Sequence, residues 1–285
     1  DMGANVLVQD GGGCRYGYYG ELQEKILRDL GYDFEFYNLI YDNHISLKKG
    51  YKFCKKMNRK CNIFSLMYYL INSLVMIIFI DKIERYIRLN MGFEVVKGEF
   101  ERVEKKYLDS FKNNGIIKNI IMYFRYRKKF RNIKINKPNK HFRVRIVGEL
   151  FSLIDSNTSF NIERKLIKMG VEVYRDTDLT YLLITKRFIL NRMIRKGKRY
   201  LKYHLGADGT ASVVRSIDST YMDGILHLKS FGCAPEISAM SILPKISNEY
   251  KIPILYFSFD SEDNEVGVDT RLEAFYDMIK RRNNG

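Results

Sequence analysis

Ile225-Leu226-His227-Leu228-Lys229-Ser230-Phe231-Gly232-Cys233-Ala234-Pro235-Glu236 passes from strand to loop to helix within twelve residues, and so decides the fold. Residues 225–229 have the length and composition of a β-strand. The chain then turns through Phe231-Gly232-Cys233 toward Pro235, which suits the first turn of a helix because its missing N–H is not needed there. The same order occurs near the start, where Asn5-Val6-Leu7-Val8-Gln9 reads as a strand and leads into Asp10-Gly11-Gly12-Gly13-Cys14-Arg15-Tyr16-Gly17. A helix over residues 18–30 follows and stops at Gly31, a residue that tolerates positive φ.

Working outward, residues 142–147 read as a strand and a helix from about residue 160 ends at Gly170. A short strand over 171–174 follows, then a basic amphipathic segment over 179–203 and a helix over 211–222. After the quoted strand come a helix over 238–250, a strand over 252–259 and a final helix over 270–281. Strands alternating with helices imply right-handed β-α-β units and a mostly parallel sheet, so the expected class is α/β. In such sheets ligands bind beyond the carboxyl ends of the strands, which directs attention to the loops holding Cys14 and Cys233.

By texture three regions are expected: an α/β part over residues 1–45, a helical insert over 46–140, and a second α/β region over 141–285. The insert contains an apolar run over 63–80 whose length is at the lower edge for a membrane span. Ser65, Asn72 and Ser73 interrupt it, and it is expected to be a buried helix. Cys54 and Cys61, seven residues apart, would share one face of a helix and are read as two thiols without a metal.

A chain of 285 residues that is 46% hydrophobic can bury a sizeable core. It begins at Asp1 and runs at once into a strand, which suggests the later part of a longer protein. No basic, apolar, small-residue leader opens it, so a cytoplasmic location and no membrane partner are expected. Four cysteines are too few for a disulfide framework in a chain of this length, leaving packing, metal ligation or catalysis as their uses. The net charge of +16 comes with no zinc finger, helix-turn-helix or aromatic-basic RNA motif, so no nucleic-acid partner is expected.

Each of the two cysteine loops admits more than one reading. A thiolate at Cys14 or Cys233 would be stabilised at a helix start, and two such cysteines presented alike could converge on a soft-metal site. The glycines before Cys14 also suit a phosphate cradle, although Gly-x-Gly-x-x-Gly and P-loop spacings are lacking, or a plain tight turn. Thr270-x-x-Glu273 has the spacing of a capping box. Glu149, following its strand, would lie on the cleft side as a substrate contact or a support for other site residues.

The stretch Gly12-Gly13-Cys14-Arg15-Tyr16-Gly17-Tyr18-Tyr19-Gly20-Glu21-Leu22-Gln23, with Asp29-Leu30-Gly31-Tyr32-Asp33 after it, resembles the 2-hydroxyacyl-CoA dehydratase family and the related region of the acyl-CoA dehydratase activases. Arg145-Ile146-Val147-Gly148-Glu149, Phe231-Gly232-Cys233 and Asp269-Thr270-Arg271-Leu272-Glu273-Ala274-Phe275 are similar to further blocks of that family. Gly13 stands where the family typically has proline, and the family's upstream Cys-Pro motif has no counterpart in this chain.

This resemblance implies two flavodoxin-like (Rossmann-like) parallel-sheet domains with an iron–sulfur cluster, 4Fe–4S or larger, between them. Cys14 and Cys233 match its ligand positions. Arg15 would hold a thioester's phosphates, balance cluster charge or be an ordinary surface residue, while Glu149 and Glu236 would be substrate contacts or supports. The implied chemistry is one-electron reduction of an acyl-CoA or a similarly hard-to-reduce substrate within a homo- or hetero-oligomer. No P-loop and no nicotinamide or flavin fingerprint occurs in the chain, so an ATP-hydrolysing activator would supply the electron. The other expectation is a non-catalytic electron-relay or accessory protein of the activase group.

Overall fold

The computed structural model describes residues 4–9, 16–38, 40–41, 44–45, 47–112 and 114–284. The chain forms two compact units, Asp1–Ile71 and Asn72–Gly285. In the first, strand β1 (Val6–Gln9) leads to helix α1 (Tyr16–Asp29) and returns as β2 (Glu35–Asn38), parallel to β1 with Val6 opposite Glu35. Helix α1 ends as its sequence requires. Gly31 takes φ +85°, its N–H donates to Arg28 O at 2.9 Å, and Tyr32 N–H donates to Leu27 O at 3.1 Å, which satisfies carbonyls the helix leaves open.

A two-residue antiparallel pair, β3 (Ile40–Tyr41) and β4 (His44–Ile45), precedes α2 (Leu47–Met57). Cys54 lies within α2 while Cys61 lies beyond its end, so the two do not share a helix face as their spacing suggested. The 28-residue helix α3 (Ile63–Asn90) begins in the first unit and ends in the second. Its apolar window is only 6% buried, which overturns the expectation of a buried helix over residues 63–80.

The second unit continues with a 3-10 turn (Met91–Phe93), α4 (Glu99–Asp109) and α5 (Ile116–Asn132). Strand β5 (Arg143–Gly148), α6 (Leu150–Ile154), α7 (Ile162–Lys168) and β6 (Glu172–Tyr174) follow. A π-helical turn (Tyr181–Thr185) runs into α8 (Lys186–Gly197), and α9 (Gly209–Ile217) leads to β7 (Gly224–Ser230). The chain closes with α10 (Ala234–Met240), α11 (Leu243–Tyr250), β8 (Ile254–Phe259) and α12 (Glu265–Asn284).

All pairings in this sheet are parallel, in the order β6-β5-β7-β8. In this order the direction of winding reverses beside the first strand, between β5 and β7, as in doubly wound α/β sheets. The α/β class and the parallel pairing are therefore those of the sequence reading. Helices and sheet share one core: Ile87, Phe100 and Phe130 join Val144, Ile146, Leu226 and Phe257, with Leu272 and Ile279 of α12. Truncating a fully buried phenylalanine such as Phe130 would cost about 3–5 kcal/mol.

Helix boundaries differ from the sequence reading in three places, the first being α9, which ends at Ile217 and not at residue 222. The helix assigned to residues 238–250 is two helices, α10 and α11, with Pro244 in the first turn of the second. The final helix starts at Glu265, where Asn264 Oδ1 accepts from Gly267 N–H at 2.8 Å. Thr270 thus lies inside the helix, its Oγ1 donating to Val266 O at 2.9 Å, and Thr270-x-x-Glu273 is not a capping box.

At the start of β6, the buried Glu172 carboxylate receives Lys137 Nζ at 2.8 Å, Tyr174 Oη at 2.7 Å and the imidazole of His141. Burial alone would raise its pKa, but the hydrogen bonds from Lys137, Tyr174 and His141 outweigh burial and hold it below the ordinary carboxylate value. Its stabilising effect is therefore complete above the ordinary value of 4.5 and is lost as pH falls through the lower folded-state value. Glu172→Gln should cost about 3 kcal/mol at neutral pH. In urea unfolding the gap between wild type and variant should narrow steadily as pH drops below the ordinary carboxylate range; a gap constant with pH would contradict this account.

Candidate functional site at the carboxyl edge of the second sheet

The reversal between β5 and β7 leaves two loops side by side at the carboxyl ends of these strands. Gly148 ends β5 at φ +142°, and a Cβ placed there would sit 1.8 Å from Leu228 O of β7. Only glycine permits this approach. The next residue then donates its N–H to the same carbonyl, Glu149 N to Leu228 O, at 2.9 Å.

Glu149 is the N-cap of α6. Its carboxylate accepts from Phe151 N at 2.9 Å, Ser152 N at 3.1 Å and Ser152 Oγ at 2.8 Å. Both carboxylate oxygens are thus engaged in starting the helix.

From β7 the chain leaves through Ser230-Phe231-Gly232 to Cys233, the N-cap of α10, with Pro235 in the following turn. Cys233 N–H donates to Ser230 O at 3.1 Å, and Ile237 N–H donates to Cys233 O at 3.0 Å, so the half-buried cysteine is held at a tight strand-to-helix turn. Lys229, nearly buried, braces that turn. Its Nζ donates to Phe231 O at 2.9 Å, Ser230 O at 3.2 Å and Ser258 Oγ at 2.8 Å. Burial pushes the Lys229 pKa below the ordinary lysine value, against the opposing influence of Cys233 and Glu236.

Glu236 has no exposed surface. One carboxylate oxygen meets His227 Nε2 at 2.8 Å and the other accepts from Ser212 Oγ at 3.1 Å. Among the described residues His227 Nδ1 is buried without a hydrogen-bond partner. Strand β7, helix α9 and helix α10 are joined through this one side chain.

Of the residues singled out from sequence, the structure brings Glu149, Cys233 and Glu236 to the same sheet edge. Glu149 and Glu236 hold helices in place there. Cys14 and Arg15 lie outside the described residues. His227, Lys229 and Ser212 were not found by sequence reasoning, although a signal exists. A strand buried on both faces reads as an apolar run, and His227 and Lys229 break that run on alternate positions of β7.

Among the described residues no group of three or more His, Cys, Asp or Glu side chains is placed to hold a metal ion. Cys233 is a suitable soft ligand, and completing a metal centre would require donors outside that set. A scan of protein-family models and a search of curated proteins found no match to this chain.

Glu236→Ala would leave His227 and Ser212 facing a buried gap without their partner. The expected loss is about 3–5 kcal/mol of unfolding free energy, measured by urea titration. Gly148→Ala should be at least as damaging, because the clash is with backbone and no side chain can yield. Near-wild-type stability of either variant would show that the edge is not built as described.

Proposed function

We propose that this chain is a component of an iron–sulfur redox system of the 2-hydroxyacyl-CoA dehydratase kind, in which Cys233 supplies one thiolate ligand and Cys14 another. The observation that carries this reading is the position of Cys233, at the carboxyl edge of a parallel sheet where the strand order reverses. Ligands of open α/β sheets bind at such edges. The Lys229 ammonium supports it by offering positive charge near an anionic thiolate centre.

A bound cluster would supply one-electron chemistry to an acyl-CoA or a similarly hard-to-reduce substrate. The chain's own part is to present the thiolate on a rigid turn, which Lys229, Pro235 and the Glu236–His227 bond provide. With no P-loop in the sequence, an ATP-hydrolysing activator is the proposed electron source, in a homo- or hetero-oligomer located in the cytoplasm.

One observation favours the second reading, an electron relay without its own catalysis. Glu149 and Glu236, the carboxylates in the segments that follow β5 and β7, are both committed to structural hydrogen bonds and are not poised to move a substrate proton.

Anaerobic protein should contain iron and acid-labile sulfide, and Cys14→Ala or Cys233→Ala should lower the iron content severalfold. Cys54→Ala and Cys61→Ala should leave it near wild type. Iron-free but folded anaerobic protein would overturn both readings. If the cluster is present, turnover of a 2-hydroxyacyl-CoA with activator and ATP selects the enzyme, and its absence across a thioester panel selects the relay.

A further inference from the structure

Within the second unit α3 and α5 lie side by side and run in the same direction. Asn119 Nδ2 donates to Asn72 Oδ1 at 2.8 Å, and further along both helices the Phe79 and Tyr123 rings stack with centroids 4.2 Å apart. The side of α5 turned away from this contact is apolar and open to solvent: Ile117, Ile121 and Phe124 are 76%, 55% and 56% exposed. Their spacing places them on one stripe, and the same stripe continues to Lys128 and Arg131.

Bordering the stripe is a hollow of about 370 Å³ between α3 and α5. Lys82, Arg127 and Arg131 line it around Tyr86, Tyr123 and Phe130, with no acidic residue. None of these three cations forms an ion pair among the described residues. An apolar stripe is thus joined to a cluster of uncompensated positive charge.

Helix α3 adds a second, independent feature. Over residues 67–71 exposed apolar side chains occupy five successive positions and so face every direction, and Phe64 before them is 85% exposed. The preceding residues 48–60 hold seven Lys and Arg and no Asp or Glu. Clustered cations next to an apolar helix match the charge and chemistry of an anionic lipid surface.

Three occupants can be weighed. A second copy of the chain, itself at +16, would bring like charges together on this face. A small soluble anion would satisfy the cations but leave Ile117, Ile121 and Phe124 in water. An anionic bilayer satisfies both. A spanning arrangement is disfavoured because Asn72 is fixed by buried amide hydrogen bonds and Ile83 and Ile87 belong to the core, so the helix would lie on the membrane.

We propose that the α3–α5 face docks on an anionic phospholipid bilayer, with Ile117, Ile121 and Phe124 entering the acyl boundary and a headgroup phosphate seated among Lys82, Arg127 and Arg131. This departs from the sequence expectation of no membrane partner, and it is independent of the cluster reading.

Sedimentation with phosphatidylglycerol-containing vesicles, compared with pure phosphatidylcholine vesicles, tests the proposal on the full chain. Binding should require the anionic lipid and weaken as salt rises. Arg127→Ala with Arg131→Ala should weaken it roughly twenty-five-fold, from about fivefold per cation. Ile121→Glu with Phe124→Glu should abolish it, while Val266→Glu, at an exposed position on α12, should leave it unchanged. Thermal melts confirm that each variant is folded, as expected for substitutions at exposed or half-exposed sites.

Folded wild-type protein that ignores anionic vesicles would overturn the proposal, as would binding unaffected by both double variants. Two other outcomes would also overturn it: concentration-dependent dimerisation abolished by Ile121→Glu with Phe124→Glu, and saturable inorganic phosphate binding without vesicle binding.

Discussion

A carboxylate with no exposed surface, Glu236, holds the second sheet to two of its helices. Burying a polar group without partners is costly, and here His227 and Ser212 offset that cost only if β7, α9 and α10 stand in one arrangement. Cys233 owes its place to this constraint, because α10 begins at the residue after it. Lys229 acts on the same turn from the other side by tying down the carbonyls of Ser230 and Phe231. A loop held by two buried ionisable side chains is well suited to present a third group without moving.

Close packing of backbone does the corresponding work at β5. Gly148 lets the two central strands meet at Leu228, and Glu149 begins α6 immediately afterward. The two loops at the reversal are built by different means, one by the absence of a side chain and the other by buried charge. Both fix the course of the chain at the sheet edge.

Much of this was legible in the sequence, and the failures have physical causes. Strands β5, β7 and β8 were visible as short apolar runs, and the end of α1 was visible through Gly31. The break between α10 and α11 is marked only by Pro244, which the sequence reading placed inside a helix although proline ends or starts one. Thr270 and Glu273 have the spacing of a cap, yet Asn264 performs that role, since spacing cannot tell a cap from a hydroxyl bonded to the preceding turn. At the site, Cys233 was legible because it follows a strand, whereas the partners of Glu236 depend on tertiary pairing. Composition showed that residues 63–80 avoid charge but not what covers them.

The amide pair between α3 and α5 has a consequence for alignment. Helices with apolar faces can slide past one another by a turn at little cost, since one methyl-rich surface resembles the next. Asn72, its Nδ2 bonded to Asn114 O at 3.0 Å and its Oδ1 to Asn119, is satisfied at one setting only. A slip of one turn would set one of the two amides against an apolar side chain of the facing helix, Asn72 against Met122 of α5 or Asn119 against Met76 of α3. Asn72 and Asn119 thereby act as a vernier, selecting one register among several of nearly equal hydrophobic contact.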